Sequence, residues 1–162
     1  MRAERAAGVA FLVAGLLLAT FSDHESIVAP SVRHRSRKCL SNLKQIGLAF
    51  VFYQQENGEF LPDRNGTAFV SHLYEAGILR DPYVYLCPRG RQTPATGGAL
   101  DERTCSYVGR RNTGEARLTS RLISTFGSRT ALAADRSADH HPDLRYVLFA
   151  DGHAEEVAEE RS

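Results

Sequence analysis

The sequence predicts an α+β fold in which one long helix packs on a small antiparallel sheet. Three observations support this prediction. Between Val32 and Glu56, apolar residues recur every three or four positions, as they do along one face of a helix. Short runs rich in β-branched and aromatic residues follow this helix, and such runs are typical of strands. Near the C-terminus, Asp151-Gly152 separates two strand-like runs, and Asp-Gly at such a position is a strong signal for a hairpin.

The length and composition of the chain fit one modest globular domain preceded by an N-terminal segment. The chain has 162 residues, of which 43% are hydrophobic and 9% aromatic, as in ordinary globular proteins. Its formal net charge is +1, so neither a nucleic acid nor an acidic partner is indicated. We therefore expect residues 30–162 to form the globular domain, and we expect no nucleic acid among its partners.

Residues 1–29 are predicted to be a membrane anchor or a signal-like segment. The run from Ala6 to Phe21 carries no charge and follows a charged N-terminus. As a helix it would span about 24 Å, slightly less than a bilayer core usually requires. A single membrane anchor, a cleavable secretory signal and a buried core helix are the alternatives, and the first two export the rest of the chain. Between Ser22 and Pro30 a break or bend is expected, because proline cannot continue a helix interior without a kink.

The helix from Val32 to Glu56 is predicted to end at Asn57-Gly58, which supplies a typical stop signal. Its apolar stripe is widened in the second half by Leu48, Val51 and Phe52. We therefore expect that half to be largely buried.

The middle of the chain is predicted to alternate short helices, strands and loops. A short helix over Ala68 to Glu75, capped by Thr67 and ended by Gly77, follows the turn-rich residues after the long helix. Residues 89–104 contain scattered glycine, proline and charge, which predicts a surface loop. A further short helix is expected within residues 115–125. Strands are predicted over Tyr83 to Cys87, Thr104 to Gly109 and Thr130 to Asp135, with another leading into Asp151.

Three cysteines, Cys39, Cys87 and Cys105, allow one disulfide with one thiol left over in an exported chain. If the two strands that carry Cys87 and Cys105 pair, these residues are neighbours, and a bridge would add roughly 3 kcal/mol. Another pairing and the absence of any disulfide are the alternatives. Cys39 lies on the helix and is expected to be a small buried apolar residue. Because the chain has no Cys-x-x-Cys, a structural zinc site of the usual spacing is not expected.

Carboxylates and imidazoles concentrate near the C-terminus, and they raise the question of a metal site. A divalent cation, calcium or zinc, is one interpretation of this composition, and its candidate ligands are Asp135, His141, Asp151 and His153. The simpler interpretation is structural: Asp151-Gly152 is a turn, and His141 could hydrogen-bond to it. No motif sets a nucleophile beside a positioned base, so we expect no catalytic residues and no enzyme activity.

Two separated motifs resemble a bacterial family of pseudopilin-like proteins. Nine residues separate His141 from Asp151-Gly152, which resembles the prepilin-type H-x9-DG element of that family. The run Arg37 to Ala49, RKCLSNLKQIGLA, is similar to the helix motif of the same family. More broadly, the chain is similar to type II secretion pseudopilins and type IV pilins. The helix-motif residues on which the resemblance depends are Cys39, Asn42, Leu43, Gln45 and Gly47.

The resemblance implies a pilin-like fold, with an N-terminal membrane helix followed by a helix packed on an antiparallel sheet. It implies a structural subunit or accessory of a type II secretion pseudopilus or pilus-like assembly. The partners would be other pseudopilin-like subunits or secretion machinery, together with the membrane. The location implied is the inner membrane, single-pass, with the globular domain in the periplasm or outside the cell.

The start of the chain differs from the family pattern. Val9 follows Gly8, and Val13 stands where the family has a glutamate. This difference favours a second class of function, a membrane-anchored or secreted periplasmic cation-dependent binding module that keeps the fold without polymerising.

Overall fold

The computed structural model describes residues 29–58, 60–136 and 144–158 of the chain. The apolar run Ala6 to Phe21 and its three interpretations lie outside these residues, and so does His141. Within the described residues, no helix is long and apolar enough to cross a membrane.

The long helix α1 spans Ala29–Glu56. The structure describes this helix from Ala29, three residues before the predicted start, and Pro30 lies within it. It ends as predicted, since Gly58 adopts a positive φ of 64° just beyond it. The backbone divides into two units, Met1–Ser36 and Arg37–Ser162, and the features below belong to the second.

One face of α1 is buried, but the expectation that its second half is largely buried is wrong. Ile46 and Phe50 lie in the core at 0% and 1% exposure. Leu48, Val51 and Phe52 are 55%, 41% and 49% exposed. A sheet covers only one side of a helix, and these three residues project from the other side.

The sheet has five strands in the order β1-β2-β3-β4-β5, and every neighbouring pair is antiparallel. The α+β prediction, with a helix packed on a small antiparallel sheet, is therefore confirmed. The strands are β1 at Asn65–Gly66, β2 at Tyr107–Arg111, β3 at Ala131–Asp135, β4 at Leu144–Phe149 and β5 at Ala154–Ala158.

The strand predicted over Tyr83 to Cys87 is wrong, because the chain forms a 3-10 helix at Pro82–Tyr85 instead. Asp81 caps this helix: its carboxylate accepts a hydrogen bond from the Tyr83 N–H at 2.9 Å. Pro82 occupies the first helical position, which suits its fixed φ. These two local signals outweigh the strand propensity of the aromatic and β-branched residues that follow.

Helix α2, at Thr67–Glu75, connects β1 to the middle of the chain. The predicted cap is wrong in detail, since Gly66 is the N-cap residue and Thr67 already belongs to the helix. The predicted stop is confirmed: Gly77 has φ 75°, its N–H donates to Tyr74 O, and the Ile78 N–H donates to Leu73 O at 3.0 Å. This is the hydrogen-bond pattern of a Schellman motif.

The remaining elements lie between β2 and β3. They are 3-10 turns at Gly114–Ala116 and Gly127–Arg129 and helix α3 at Ser120–Phe126, which the Thr119 side chain caps. The short helix predicted within residues 115–125 is thus present, displaced towards the C-terminus.

Gly47 marks a close approach of α1 to the sheet. A Cβ placed on it would lie 2.8 Å from Leu148 Cδ1 of β4 and 3.4 Å from the Gly152 carbonyl oxygen. The glycine of the helix motif therefore lies directly against the glycine of the Asp-Gly turn. Because Gly47 has no side chain, the helix can pack closely against the sheet at this position.

Candidate functional site

A pair of buried cysteines lies between α1 and the segment that follows the Pro82–Tyr85 helix. The sulfur atoms of Cys39 and Cys87 are 2.8 Å apart, and the two residues are 0% and 3% exposed. From the sequence, a Cys87–Cys105 bridge is one of three alternatives, beside another pairing and no disulfide, and Cys39 has no obvious partner. In the structure Cys87 lies beside Cys39 instead. Cys105 is buried separately, and its thiol donates to the Tyr107 carbonyl oxygen at 3.3 Å.

Two hydrogen bonds fix Cys87 beside the helix. The Asn42 side-chain amide, one turn after Cys39 on the same face, donates to the Leu86 carbonyl oxygen at 2.8 Å. On the other side, the Ser106 N–H donates to the Tyr85 carbonyl oxygen at 2.8 Å, which attaches the same segment to the residues leading into β2. The position of Cys87 thus follows from contacts that do not involve its own side chain.

Asp135, the last residue of β3, lies next to this pair. Its carboxylate and the sulfur atoms of Cys39 and Cys87 offer ligand atoms that all lie within 4.8 Å of one another. The carboxylate accepts a hydrogen bond from the Tyr146 N–H at 3.3 Å. Burial raises the pKa of Asp135 to about 6, although that hydrogen bond and the Arg145 guanidinium both favour the ionised form.

The two thiols of the pair differ in acidity because one donates to the other. The hydrogen bond with Cys87, followed by burial, strongly raises the pKa of Cys39. The same hydrogen bond lowers the pKa of Cys87, and the backbone N–H groups of Arg89 and Gly90 act in the same direction against burial. Cys87 is therefore the sulfur that ionises first, and Cys39 retains its proton.

Tyr107, at the start of β2, brings a phenol to the same buried region. Burial raises its pKa well above 10, and the neighbouring Cys39, Asp135 and Cys87 add to this shift. The phenol therefore remains neutral and contributes no charge to the site.

The donor set of two thiols and one carboxylate suits a borderline cation such as zinc better than calcium, which prefers oxygen alone. A closed structural zinc site has four ligands, and two thiolates on one zinc lie about 3.8 Å apart. The sulfur separation of 2.8 Å is shorter than this and fits a covalent bridge between the sulfurs more closely.

The cation ligands proposed from the sequence do not come together as a group. The register places Ala134 opposite Val147, so Asp135 lies beside Tyr146, at one end of β4. Asp151 and His153 lie beyond Phe149 at the opposite end, at least about 10 Å away along the strand. Their grouping with Asp135 is wrong, and His141 lies outside the described residues.

The Asp151-Gly152 turn is a structural element. Gly152 has φ 87°, and the Phe149 N–H donates to the His153 carbonyl oxygen at 2.9 Å, which closes the predicted hairpin. The Asp151 carboxylate lies 2.5 Å from His153 Nδ1, and the His153 ring stacks on Phe149 at 4.5 Å. Partial desolvation acts against ionisation, but hydrogen bonds from the His153 backbone and ring bring the pKa of Asp151 below its usual value. His153 therefore bonds to the turn, and the bond predicted from His141 lies outside the described residues.

The helix motif is explained mainly by packing. Cys39, Asn42, Leu43 and Gly47 lie on the buried face of α1, whereas Gln45 is exposed and donates only to the Ser41 carbonyl oxygen at 3.4 Å. The inward residues contact either the cysteine segment or the sheet. Nothing in the structure explains Gln45.

The outward side of α1 carries an exposed apolar surface, which we define as Leu48, Val51 and Phe52. Spacings of three and four residues place them side by side on the helix. An open groove of about 800 Å³ adjoins this surface, between the end of α1 and α3, and Val51 and Ile123 are among its lining residues. Sequence analysis found these helix residues but assigned them to the core.

Comparisons of the chain with protein-family models, with curated proteins and with solved structures find no match.

Proposed function

We propose that the chain is a structural subunit or accessory of a type II secretion pseudopilus or a pilus-like assembly. The exposed apolar surface of α1 carries this proposal. In such an assembly the N-terminal segment would sit in the inner membrane, and the globular domain would lie in the periplasm or outside the cell.

The exposed apolar surface suits contact with other subunits. A single exposed leucine is ordinary. Three large apolar side chains side by side on one helix form an apolar patch that is exposed to water unless another molecule covers it. Completing the burial of a half-exposed side chain of this size is worth roughly 1 kcal/mol. Repeated along stacked subunits, such contacts would favour lateral packing of the helices.

The relation between the two motifs supports the resemblance on which the proposal also depends. Gly47 of the helix motif and Gly152 of the Asp-Gly turn lie in contact, although they are far apart in sequence. Cys39 and Asn42 of the helix motif meet the Leu86-Cys87 segment in the same way. Residues of both motifs thus contribute to the contacts on the buried face of α1.

The proposed role is non-catalytic. The cluster with the most reactive groups, around Cys39 and Cys87, is enclosed in the core at 0% and 3% exposure. A substrate could not reach these sulfurs without opening the fold, and catalytic groups must contact their substrate.

Cross-linking in membranes tests the proposal. The full chain, treated in intact membranes with an amine-reactive reagent, is expected to give a ladder at multiples of 17.9 kDa. Replacing Leu48 and Phe52 with glutamate is expected to remove the ladder, because each charge would have to be buried between subunits. Thr96→Glu, at an exposed polar position in the loop between Cys87 and β2 and away from α1, is the control and should keep the ladder.

A wild-type chain that stays monomeric in this experiment would contradict assembly. It would favour the second class of function, the membrane-anchored or secreted binding module, for which Val13 in place of glutamate is the supporting observation. Carbonate extraction separates the two forms of that module, because only an anchored chain stays with the membrane.

A further inference from the structure

We propose that Cys39 and Cys87 form a disulfide that fastens α1 to the segment between the Pro82–Tyr85 helix and β2, and that Cys105 remains a thiol. This bridge does not depend on assembly into a pseudopilus. It requires only that the chain meets a disulfide oxidant.

The fold itself brings the two sulfurs together. Asn42 binds the Leu86 carbonyl oxygen from a position one turn beyond Cys39, so the next residue along the chain, Cys87, is delivered to the side of Cys39. The sulfur atoms lie 2.8 Å apart with both residues buried. Forming the bond requires the sulfurs to approach by less than about 1 Å, since a disulfide measures about 2.0 Å.

The sulfur separation favours a bridge over a bound metal, because two thiolates on one zinc lie about 3.8 Å apart and these sulfurs lie 2.8 Å apart. Among the described residues three donors converge, and one oxygen of the Asp135 carboxylate already accepts the Tyr146 N–H. A zinc ion enclosed in the core would need a fourth ligand. The adjacent Tyr107 phenol has its pKa raised well above 10, which makes it a poor ligand.

The chemistry of bridge formation is thiol–disulfide exchange with an external disulfide, either a small one such as oxidised glutathione or that of a thiol oxidoreductase. The Cys87 thiolate attacks one sulfur of the oxidant, a mixed disulfide forms, and one thiolate leaves. Cys39, once deprotonated, attacks the Cys87 sulfur and expels the second thiolate. The two protein thiols are oxidised by two electrons, and the oxidant is reduced to two thiols.

Either cysteine can attack the oxidant first, with the roles above exchanged, because the hydrogen bond that lowers the pKa of Cys87 forms only when α1 is packed. Because both sulfurs are buried in the native state, exchange takes place before α1 packs or when it opens. Once formed, the bridge is protected from reductants by the same burial.

Peptide mapping of the full chain tests this inference. The chain is kept in mild detergent because of its apolar N-terminal run, is incubated with oxidised glutathione, and has its thiols alkylated after denaturation. The expected result is one Cys39–Cys87 linked peptide, with Cys105 alkylated. Cys39→Ala and Cys87→Ala should abolish the link, and Cys105→Ala, the matched control, should retain it.

Thermal unfolding provides a second measurement. A bridge across 48 positions is expected to raise the melting temperature of the oxidised chain by about 10–15 °C over the reduced chain, in the wild type and in Cys105→Ala. The two other variants should show no difference between oxidised and reduced samples.

Three outcomes would overturn the inference. The first is a link that includes Cys105, the second is three alkylated cysteines after oxidation, and the third is one equivalent of zinc bound to the folded chain before oxidation. Peptide mapping and the metal content of the wild-type chain decide among these even if a cysteine variant fails to fold.

Discussion

Asp135 is expected to make the stability of the protein depend on pH, and Asp135→Asn should remove that dependence. The residue is 1% exposed, and burial raises its pKa from 3.8 to about 6. Between these values the folded chain holds a proton that the unfolded chain has released. The free energy of unfolding should therefore fall as the pH rises from about 4 to above 6.

The magnitude follows from the shift in pKa. The difference between about 6 and 3.8 is about 2.2 pH units, and at 1.36 kcal/mol per unit this corresponds to about 3 kcal/mol. An asparagine keeps an oxygen that can accept the Tyr146 N–H and avoids burying a charge. We expect Asp135→Asn to be about as stable as the wild type at pH 4 and up to about 3 kcal/mol more stable at pH 7.5.

Urea unfolding of both chains from pH 4 to pH 8, in the same redox state, measures this difference. Subtracting the two curves removes the contribution of every other titrating group. Asp63→Asn is a matched control, because Asp63 is an exposed carboxylate near Arg117 at 4.0 Å. A difference between wild type and Asp135→Asn that stays constant with pH, or a wild type that gains stability relative to the variant as pH rises, would refute the reasoning.

Two further predictions concern the contact between helix and sheet. Gly47→Ala should destabilise the fold by about 1–3 kcal/mol, because the added methyl group would meet the Leu148 side chain at 2.8 Å. Ser41→Ala, on the exposed side of the same helix, should change stability by less than about 1 kcal/mol in the same urea assay. Asn42→Ala should reduce stability by about 1–3 kcal/mol, since it leaves the Leu86 carbonyl oxygen without its donor, and an unchanged unfolding midpoint would contradict this assignment.

The elements with strong local signals were predictable from the sequence. The long apolar periodicity of α1, the glycine stops at Gly58 and Gly77, and the Asp-Gly turn all specify backbone geometry through a few adjacent residues. Their positions in the structure agree with the sequence within a few residues. The predicted α+β class follows from these elements, because a one-sided helix and a hairpin must bury their apolar faces against each other.

The cysteine site was not predictable in the same way, because its partners are set by long-range packing. The pairing of Cys87 with Cys105 assumed that Tyr83 to Cys87 is a strand, and the Asp81-Pro82 cap turns that segment into a 3-10 helix. Once the strand is lost, the reason for that pairing is lost as well. The pairing of Cys39 with Cys87 depends instead on the hydrogen bond from Asn42 to the Leu86 carbonyl oxygen. These two residues are far apart in the sequence and meet only in the folded chain.

Buried polar residues outside the motifs escaped sequence analysis for a similar reason. Asn112 is fully buried, donates to the Pro62 carbonyl oxygen at 2.8 Å and accepts from the Leu118 N–H at 2.8 Å. Asn112 thus connects Pro62, which precedes it in the sequence, to Leu118, which follows it. From the sequence alone, an asparagine after a strand predicts a turn. Its role as a buried hydrogen-bonding side chain follows only from the backbone groups that the fold brings around it.

The helix motif contains one apolar residue that the fold of a single chain does not explain. Cys39, Asn42, Leu43 and Gly47 point inward and account for the close contact between α1, the cysteine segment and the sheet. Leu48 belongs to the same run yet points outward at 55% exposure, where any polar residue would serve a solitary domain equally well. With Val51 and Phe52 it forms the exposed apolar surface on which the proposed contact with other subunits depends. The inward residues of the run therefore stabilise the fold, and we expect its outward residues to contact other subunits.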